Sequence, residues 1–167
     1  MHIVFEGPDC SGKSSLLEAV AKELDMPCRK RIVRVGPENI LEVNREDLEQ
    51  EGSLLLDRCY WISDIIYEPF HNVEGSALLP LDRKLYDVGD AFYIHVTCSS
   101  EVMQGRLEER GDELFDETQI EIARRRYIEF FEHTFGREHL TIDTTEVPFE
   151  ENVKKIVNKI KEVLKCK

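Results

Sequence analysis

The chain has 167 residues, 41% of them hydrophobic, which suits one packed domain over residues 1–167 and argues against disorder. No apolar run reaches the roughly 18 residues of a membrane span, and no basic leader with a cleavage site opens the sequence, so a cytoplasmic protein is expected. Acidic residues outnumber basic ones 34 to 22; the net charge of −12 excludes a nucleic-acid footprint and means any anion site must gather positive charge locally.

In chain order, the apolar runs His2–Glu6, Arg31–Val35, Leu54–Asp57, Ala91–Cys98 and Leu140–Asp143 stand out. They are near-continuous rather than alternating, which predicts strands covered on both faces. Between the first two, residues 13–25 place Leu16, Leu17, Val20, Ala21 and Leu24 on one helical stripe. The stretch 59–90 reads as two helices around a loop at Asn72–Pro80. Residues 99–110 and 117–134 read as helices flanking Gly111–Asp116. A last helix starts near Pro148 and carries Val153, Ile156, Val157, Ile160, Val163 and Leu164 on its apolar face. Strands alternating with helices predict a parallel sheet with right-handed crossovers, and such sheets hold ligands at the carboxyl ends of their strands.

Right after the first strand comes Gly7-Pro8-Asp9-Cys10-Ser11-Gly12-Lys13-Ser14, which fits GxxxxGK[ST] between a strand and a helix. Gly7 and Gly12 let the backbone curl, so that N–H groups from Cys10 and Ser11 through Gly12 to Ser14 and Ser15 face a phosphate chain. The helix beginning at Lys13 adds its positive end. Lys13 can reach the β- and γ-phosphates of ATP, and the Ser14 hydroxyl can ligate Mg²⁺. The predicted fold class is therefore an α/β P-loop NTPase, three layers α/β/α around a five-stranded parallel sheet. Asp57, at the carboxyl end of an apolar strand, suits Mg²⁺ held through water, and Arg58 presents a planar fork to a phosphate.

Cysteines at 10, 28, 59, 98 and 166 form neither a CxxC pair nor a zinc-ligand set, and the histidines show no HxxxH or HExxH pattern. Reduced thiols are expected, with Cys10 close to a helix start that can lower a thiol pKa. Asp82-Arg83 repeats the acid–arginine pair without an apolar strand before it, and reads as surface.

The string Phe5-Glu6-Gly7-Pro8-Asp9-Cys10-Ser11-Gly12-Lys13-Ser14 resembles the FEGxDxxGK[ST] loop of the thymidylate kinases. Leu54-Leu55-Leu56-Asp57-Arg58, followed by Ser63 and Tyr67, is similar to that family's strand-end Asp-Arg motif. Asp90–Val96 looks like its penultimate core strand, Arg106–Gly111 like the start of its lid, and Arg124 with Tyr127 like the arginine and tyrosine of the helix after it.

The resemblance implies that Asp9 bonds the 3′-hydroxyl of a deoxyribose and that Arg58 binds the acceptor phosphate. Arg124, Tyr67 and Trp61 would complete the acceptor site. A short lid at about 105–118 would bring Arg110 to the transferring phosphoryl group, beside Lys13 and Arg58 in the catalytic set, with Arg106 on the ATP phosphates. Phe70 and Arg45 are further candidates for the base site. The family's members commonly form homodimers.

Departures are visible as well. Cys10 stands where one subgroup of the family carries a catalytic arginine, and the acidic stretch Gly111–Thr118 lacks the usual lid Asp-Arg pair. Ser63 follows Asp57 by six residues rather than the usual five. The segment between Val35 and Leu54 leaves little room for the thymine-holding helix, and Arg34-Val35-Gly36-Pro37 only partly matches the family's Arg-Glu-Pro-Gly loop. The compact form resembles the members encoded by bacteriophages, which implies a host-cytoplasm setting.

The expected activity is transfer of the ATP γ-phosphoryl group to thymidylate or a related pyrimidine deoxynucleoside monophosphate. Two alternatives stand beside it: a P-loop kinase phosphorylating a hydroxyl of a deoxynucleoside or metabolite, and a nucleotide-binding regulatory module. Against the last, no NKxD motif occurs, nor any DxxG outside the phosphate loop itself.

Overall fold

A computed structural model describes residues 1–30, 52–58, 60–67, 70, 91–111 and 116–165. The strands are β1 (His2–Glu6), β2 (Cys28–Lys30), β3 (Leu55–Asp57), β4 (Ala91–Thr97) and β5 (His139–Asp143). The helices are α1 (Lys13–Leu24), α2 (Tyr60–Tyr67), α3 (Ser100–Arg110), α4 (Glu117–Glu129) and α5 (Phe149–Lys165). Every strand pairing is parallel, in the order β2-β3-β1-β4-β5. β1, which feeds the phosphate loop, is central and pairs Phe5 with Asp57 on one side and with Ile94 on the other.

The period-two alternation of strands sorts the side chains into two cores. Ile3, Phe5, Phe92, Ile94 and Val96 join Leu16, Leu17 and Val20 of α1 and Ile156, Val157 and Ile160 of α5. Val4, Leu56 and Tyr93 point to the opposite face, where they meet Ile62 and Ile66 of α2 and Ala123 and Tyr127 of α4. Both faces are covered, which explains the unbroken apolar runs.

Where structure and sequence expectation differ, local chemistry explains it. The second strand is described at Cys28–Lys30, ahead of the expected Arg31–Val35, which lies outside the described residues, as do Arg34–Pro37, Arg45, Asn72–Pro80 and Asp82-Arg83. The helix expected over 117–134 is α-helical only to Glu129 and closes with a π-helical turn, Phe130–Thr134. There Phe131 stacks on His95 at 4.6 Å and 6°, and Phe130, Phe131 and Phe135 all pack inward. α4 starts at a capping box: Asp116 accepts from the Gln119 N–H, and the Gln119 side chain accepts from the Asp116 N–H. Within the expected lid, Gly111 ends α3 in the left-handed conformation, and residues 112–115 lie outside the described set.

Candidate active site

The loop from Gly7 to Ser14 runs from the carboxyl end of β1 into α1. Gly7 cannot be replaced without cost. It sits at φ +153, and a Cβ there would lie 2.1 Å from the Val96 carbonyl oxygen of β4. Gly12 caps α1 at φ +85. Cys10 also takes a positive φ, +60, an uncommon conformation for a residue with a side chain. Ser11 is fully buried, and its hydroxyl has no hydrogen-bond partner among the described residues.

Two buried clusters flank this loop. In the first, Lys13 forms an ion pair with Asp57 and the Ser14 hydroxyl donates to the same carboxylate at 2.7 Å. Burial pushes the Asp57 carboxyl up, but the Lys13 charge, the hydrogen bonds from Lys13 and Ser14, and the Arg58 charge outweigh it and hold the group below the usual carboxylate range. A hydroxyl and an ionised carboxylate so placed are hard oxygen donors and fit a Mg²⁺ ion.

The second cluster grows from the very next residue. Arg58 leaves β3 at φ +70, its N–H donating 2.8 Å to the Phe5 carbonyl. That left-handed turn sends its side chain away from Asp57. The guanidinium donates to Asp9 at 2.9 Å, to the Tyr67 hydroxyl at 3.2 Å and to the Gly7 carbonyl at 3.3 Å, and lies 5.1 Å over the Tyr67 ring. Tyr67 donates to the other Asp9 oxygen at 2.9 Å. Burial raises the Asp9 carboxyl, but Arg58, Tyr67 and Lys13 outweigh it, leaving Asp9 ionised. Burial likewise pushes the Tyr67 phenol up, so it keeps the proton it donates.

Beneath this cluster lies a buried layer. Tyr127 donates to the Glu6 carboxylate at 3.1 Å, lies 3.4 Å from the Ser63 hydroxyl and meets Tyr67 edge to face. Its phenol is raised far above the ordinary range by burial and then by Glu6. His95 stacks on the same ring from below, at 6.1 Å and 20°.

The remaining candidate residues fall elsewhere. Arg106 is half-buried and donates to the Cys10 carbonyl at 3.1 Å, the Thr144 hydroxyl at 2.9 Å and the Thr144 carbonyl at 3.2 Å, so it braces the loop against the end of β5. Arg110 is exposed in the last turn of α3, and Ser15 is exposed on α1. Trp61 belongs to α2, its side chain outside the described set. Arg124 does not join the Arg58 cluster: both of its described bonds, at 2.7 and 3.0 Å, go to Glu121, whose carboxyl it pulls down to about 2 together with Ser100 and Arg125. Arg124 lines a separate cavity of about 420 Å³ with Thr97, Cys98, Ser99 and Thr145. Arg126 donates 2.5 Å to the Ile65 carbonyl and ties α4 to α2.

Sequence reasoning missed the bracing role of Arg106 and the Glu6–Tyr127–Ser63 layer. The one available signal was an acid at position 6 inside an otherwise apolar strand, since a buried carboxylate demands partners.

No protein-family profile matches the chain. It is 26% identical over 163 residues to the SPbeta prophage-derived uncharacterized protein YorR of Bacillus subtilis (strain 168), covering 93% of this chain and 96% of the relative. The crystal structure of YorR, in complex with phosphorylated GDP, superposes with a TM-score of 0.75 at 23% identity over 96% of both chains. Deoxyadenosine kinase from M. mycoides, with the products dCMP and a flexible dCDP bound, gives 0.73 at 18% identity over 98% of this chain and 100% of the other. A gluconokinase from Sinorhizobium meliloti 1021 gives 0.65 at 16% identity over 97% and 92%. With a phosphate loop on the central strand of a parallel α/β/α sheet, and kinases among its structural neighbours, the chain has the fold of the P-loop kinases.

Proposed function

We propose that this protein is an ATP-dependent deoxynucleoside monophosphate kinase acting on thymidylate or a related pyrimidine nucleotide. The observation that carries the reading is the adjacency of two unlike charge clusters at one strand end: Lys13–Asp57–Ser14 facing the loop, and Arg58–Asp9–Tyr67 beside it. The first matches the needs of a donor triphosphate and the second those of an acceptor nucleotide.

In this reading, backbone N–H groups of residues 10–15 and Lys13 hold the β- and γ-phosphates. Ser14 and Asp57 would hold Mg²⁺, which neutralises charge on the phosphate oxygens when bound. Arg58 keeps its fork near the Asp9 and Tyr67 oxygens and grips the acceptor phosphate. One oxygen of that phosphate bonds to the γ-phosphorus as the bond to the ADP oxygen breaks. A phosphate oxygen is already nucleophilic, so the chain supplies position and charge rather than a base. Asp9, ionised and accepting from Tyr67, can accept from a sugar hydroxyl. Arg110 on the lid side, Arg106 on the ATP phosphates, and Arg124 and Trp61 at the acceptor belong to this proposal as residues that lid closure would have to bring in.

The fold shared with a deoxyadenosine kinase supports a second reading, in which the acceptor is a nucleoside hydroxyl. ATP consumption measured across dTMP, dUMP, dCMP, dAMP and dGMP, and across the matching nucleosides, separates the two. Turnover is expected with a pyrimidine monophosphate. Turnover confined to nucleosides would establish the second reading and sink the first.

A further inference from the structure

The Cys98 thiol meets the backbone of the phosphate loop at Cys10. Cys98, at the carboxyl end of β4, is 2% exposed, and its Sγ lies 3.9 Å from the carbonyl oxygen of Cys10, toward which the thiol points. Both residues belong to one apolar cluster with Met103 and Ile120, and both thiols are reduced. Cys10 is only partly buried and lies two residues before the N-cap of α1, where the positive end of the helix favours a thiolate. Burial pushes the Cys98 thiol up, against an opposing pull from Arg106, so Cys10 is the partner suited to attack first.

We propose that Cys10 and Cys98 are a redox pair whose disulfide locks the phosphate loop against nucleotide. The oxidant is a peroxide. The Cys10 thiolate attacks a peroxide oxygen, the O–O bond breaks, and hydroxide leaves to become water, giving a sulfenic acid. The Cys98 thiol then attacks that sulfur, the S–O bond breaks, and a second water leaves with the Cys98 proton. In total two thiols lose two electrons and two protons to hydrogen peroxide, giving one disulfide and two waters; a dithiol reverses it.

The consequence follows from what already holds the loop. Arg106 grips the Cys10 carbonyl and Thr144. A sulfur bridge from Cys10 to Cys98, the residue after β4, would stop that carbonyl from swinging away, so Arg106 could not be released toward a phosphate. The loop would be held with Cys10 at its positive φ. Nucleotide laid across the loop would in turn cover Cys10 and slow oxidation. This inference rests on reading Gly7–Ser14 as the ATP site.

The test treats the whole protein with hydrogen peroxide, with and without ATP. It reads intact mass, the cross-linked proteolytic peptide, and ATP affinity by titration calorimetry before and after dithiothreitol. The expected result is loss of two hydrogens, a peptide joining the segments around Cys10 and Cys98, and ATP binding weakened about tenfold or more and restored by the dithiol. ATP should slow the bridge, and Cys98→Ala should bind ATP normally while losing the peroxide effect. Over-oxidation of Cys10 without a bridge, or a bridge that leaves ATP affinity within about twofold, would overturn the proposal. A reduced protein that fails to bind ATP would instead overturn the kinase reading, and the mass and peptide would still decide the bridge.

Discussion

Asp57 and Arg58 are neighbours in sequence, yet they serve opposite sides of the phosphate loop. Asp57 still belongs to β3, and its carboxylate reaches across to Lys13 and Ser14 at the start of α1. Arg58 is one residue past the strand, in a left-handed conformation, and its guanidinium turns to Asp9 and Tyr67. The two clusters differ in how they are built. The Lys13 side is a plain ion pair between two secondary-structure ends. The Arg58 side rests on a second layer, Tyr127 with Glu6 and Ser63, and below that on His95 and Phe131. The strain at Arg58 is held in place by that packing, as such strain usually is at a working site.

The difference can be tested by breaking each side separately. Lys13→Ala removes the cation on the side proposed for ATP and leaves the buried Asp57 without its ion-pair partner. ATP binding and turnover should both fall, turnover by about 10³-fold or more, with calorimetry and steady-state rates as the readout. Arg58→Ala should lower kcat/KM for the acceptor by about 10²-fold or more while ATP affinity changes by less than about threefold. Equal losses for ATP and acceptor in both variants would abolish the distinction between the two sides.

Acid should loosen the Arg58 side first. His95 is 2% exposed, and its pKa is lowered from 6.5 to about 4 by burial and then by His139. Because the folded state resists the charge, the unfolded chain binds the extra proton between those values. Stability is complete above about 6.5 and is lost as pH falls toward about 4, by up to about 3 kcal/mol. Asp9 and Asp57 are depressed below 3.8, so their contribution is present above that value and is lost only in stronger acid. Urea unfolding of His95→Phe between pH 7 and 4.5 should show a shallower decline than the parent; an identical decline would place the titration elsewhere. The smallest effect is expected from Tyr67→Phe, which removes the hydroxyl that donates to Asp9 and accepts from Arg58 and costs about 2 kcal/mol in acceptor kcat/KM with kcat for ATP turnover little changed.

Much of this arrangement can be read along the chain. Gly7, Gly12, Lys13 and Ser14 form one contiguous string, and Asp57-Arg58 sits at the end of an apolar run, so spacing alone placed them at a strand end. Arg106 is different: it meets Cys10 across 96 positions, and nothing in its own helix marks it as a brace rather than a phosphate ligand. Tyr127 and Glu6 are 121 positions apart. Arg124 faces Glu121 one turn back, because a carboxylate three residues away on a helix is the nearest partner an arginine can find, and the sequence does not show that pairing to be the one formed.

The sequence alone determined the parallel α/β order, the curling phosphate loop and the presence of an acid–arginine pair at a strand end, since each depends on local periodicity or on glycine at a fixed spacing. Only the tertiary structure decided which charges meet. It set Asp57 on Lys13 and Arg58 on Asp9, stacked Tyr127 and His95 beneath them, and put the Cys98 thiol against the loop, because those contacts depend on the order and twist of strands distant in sequence.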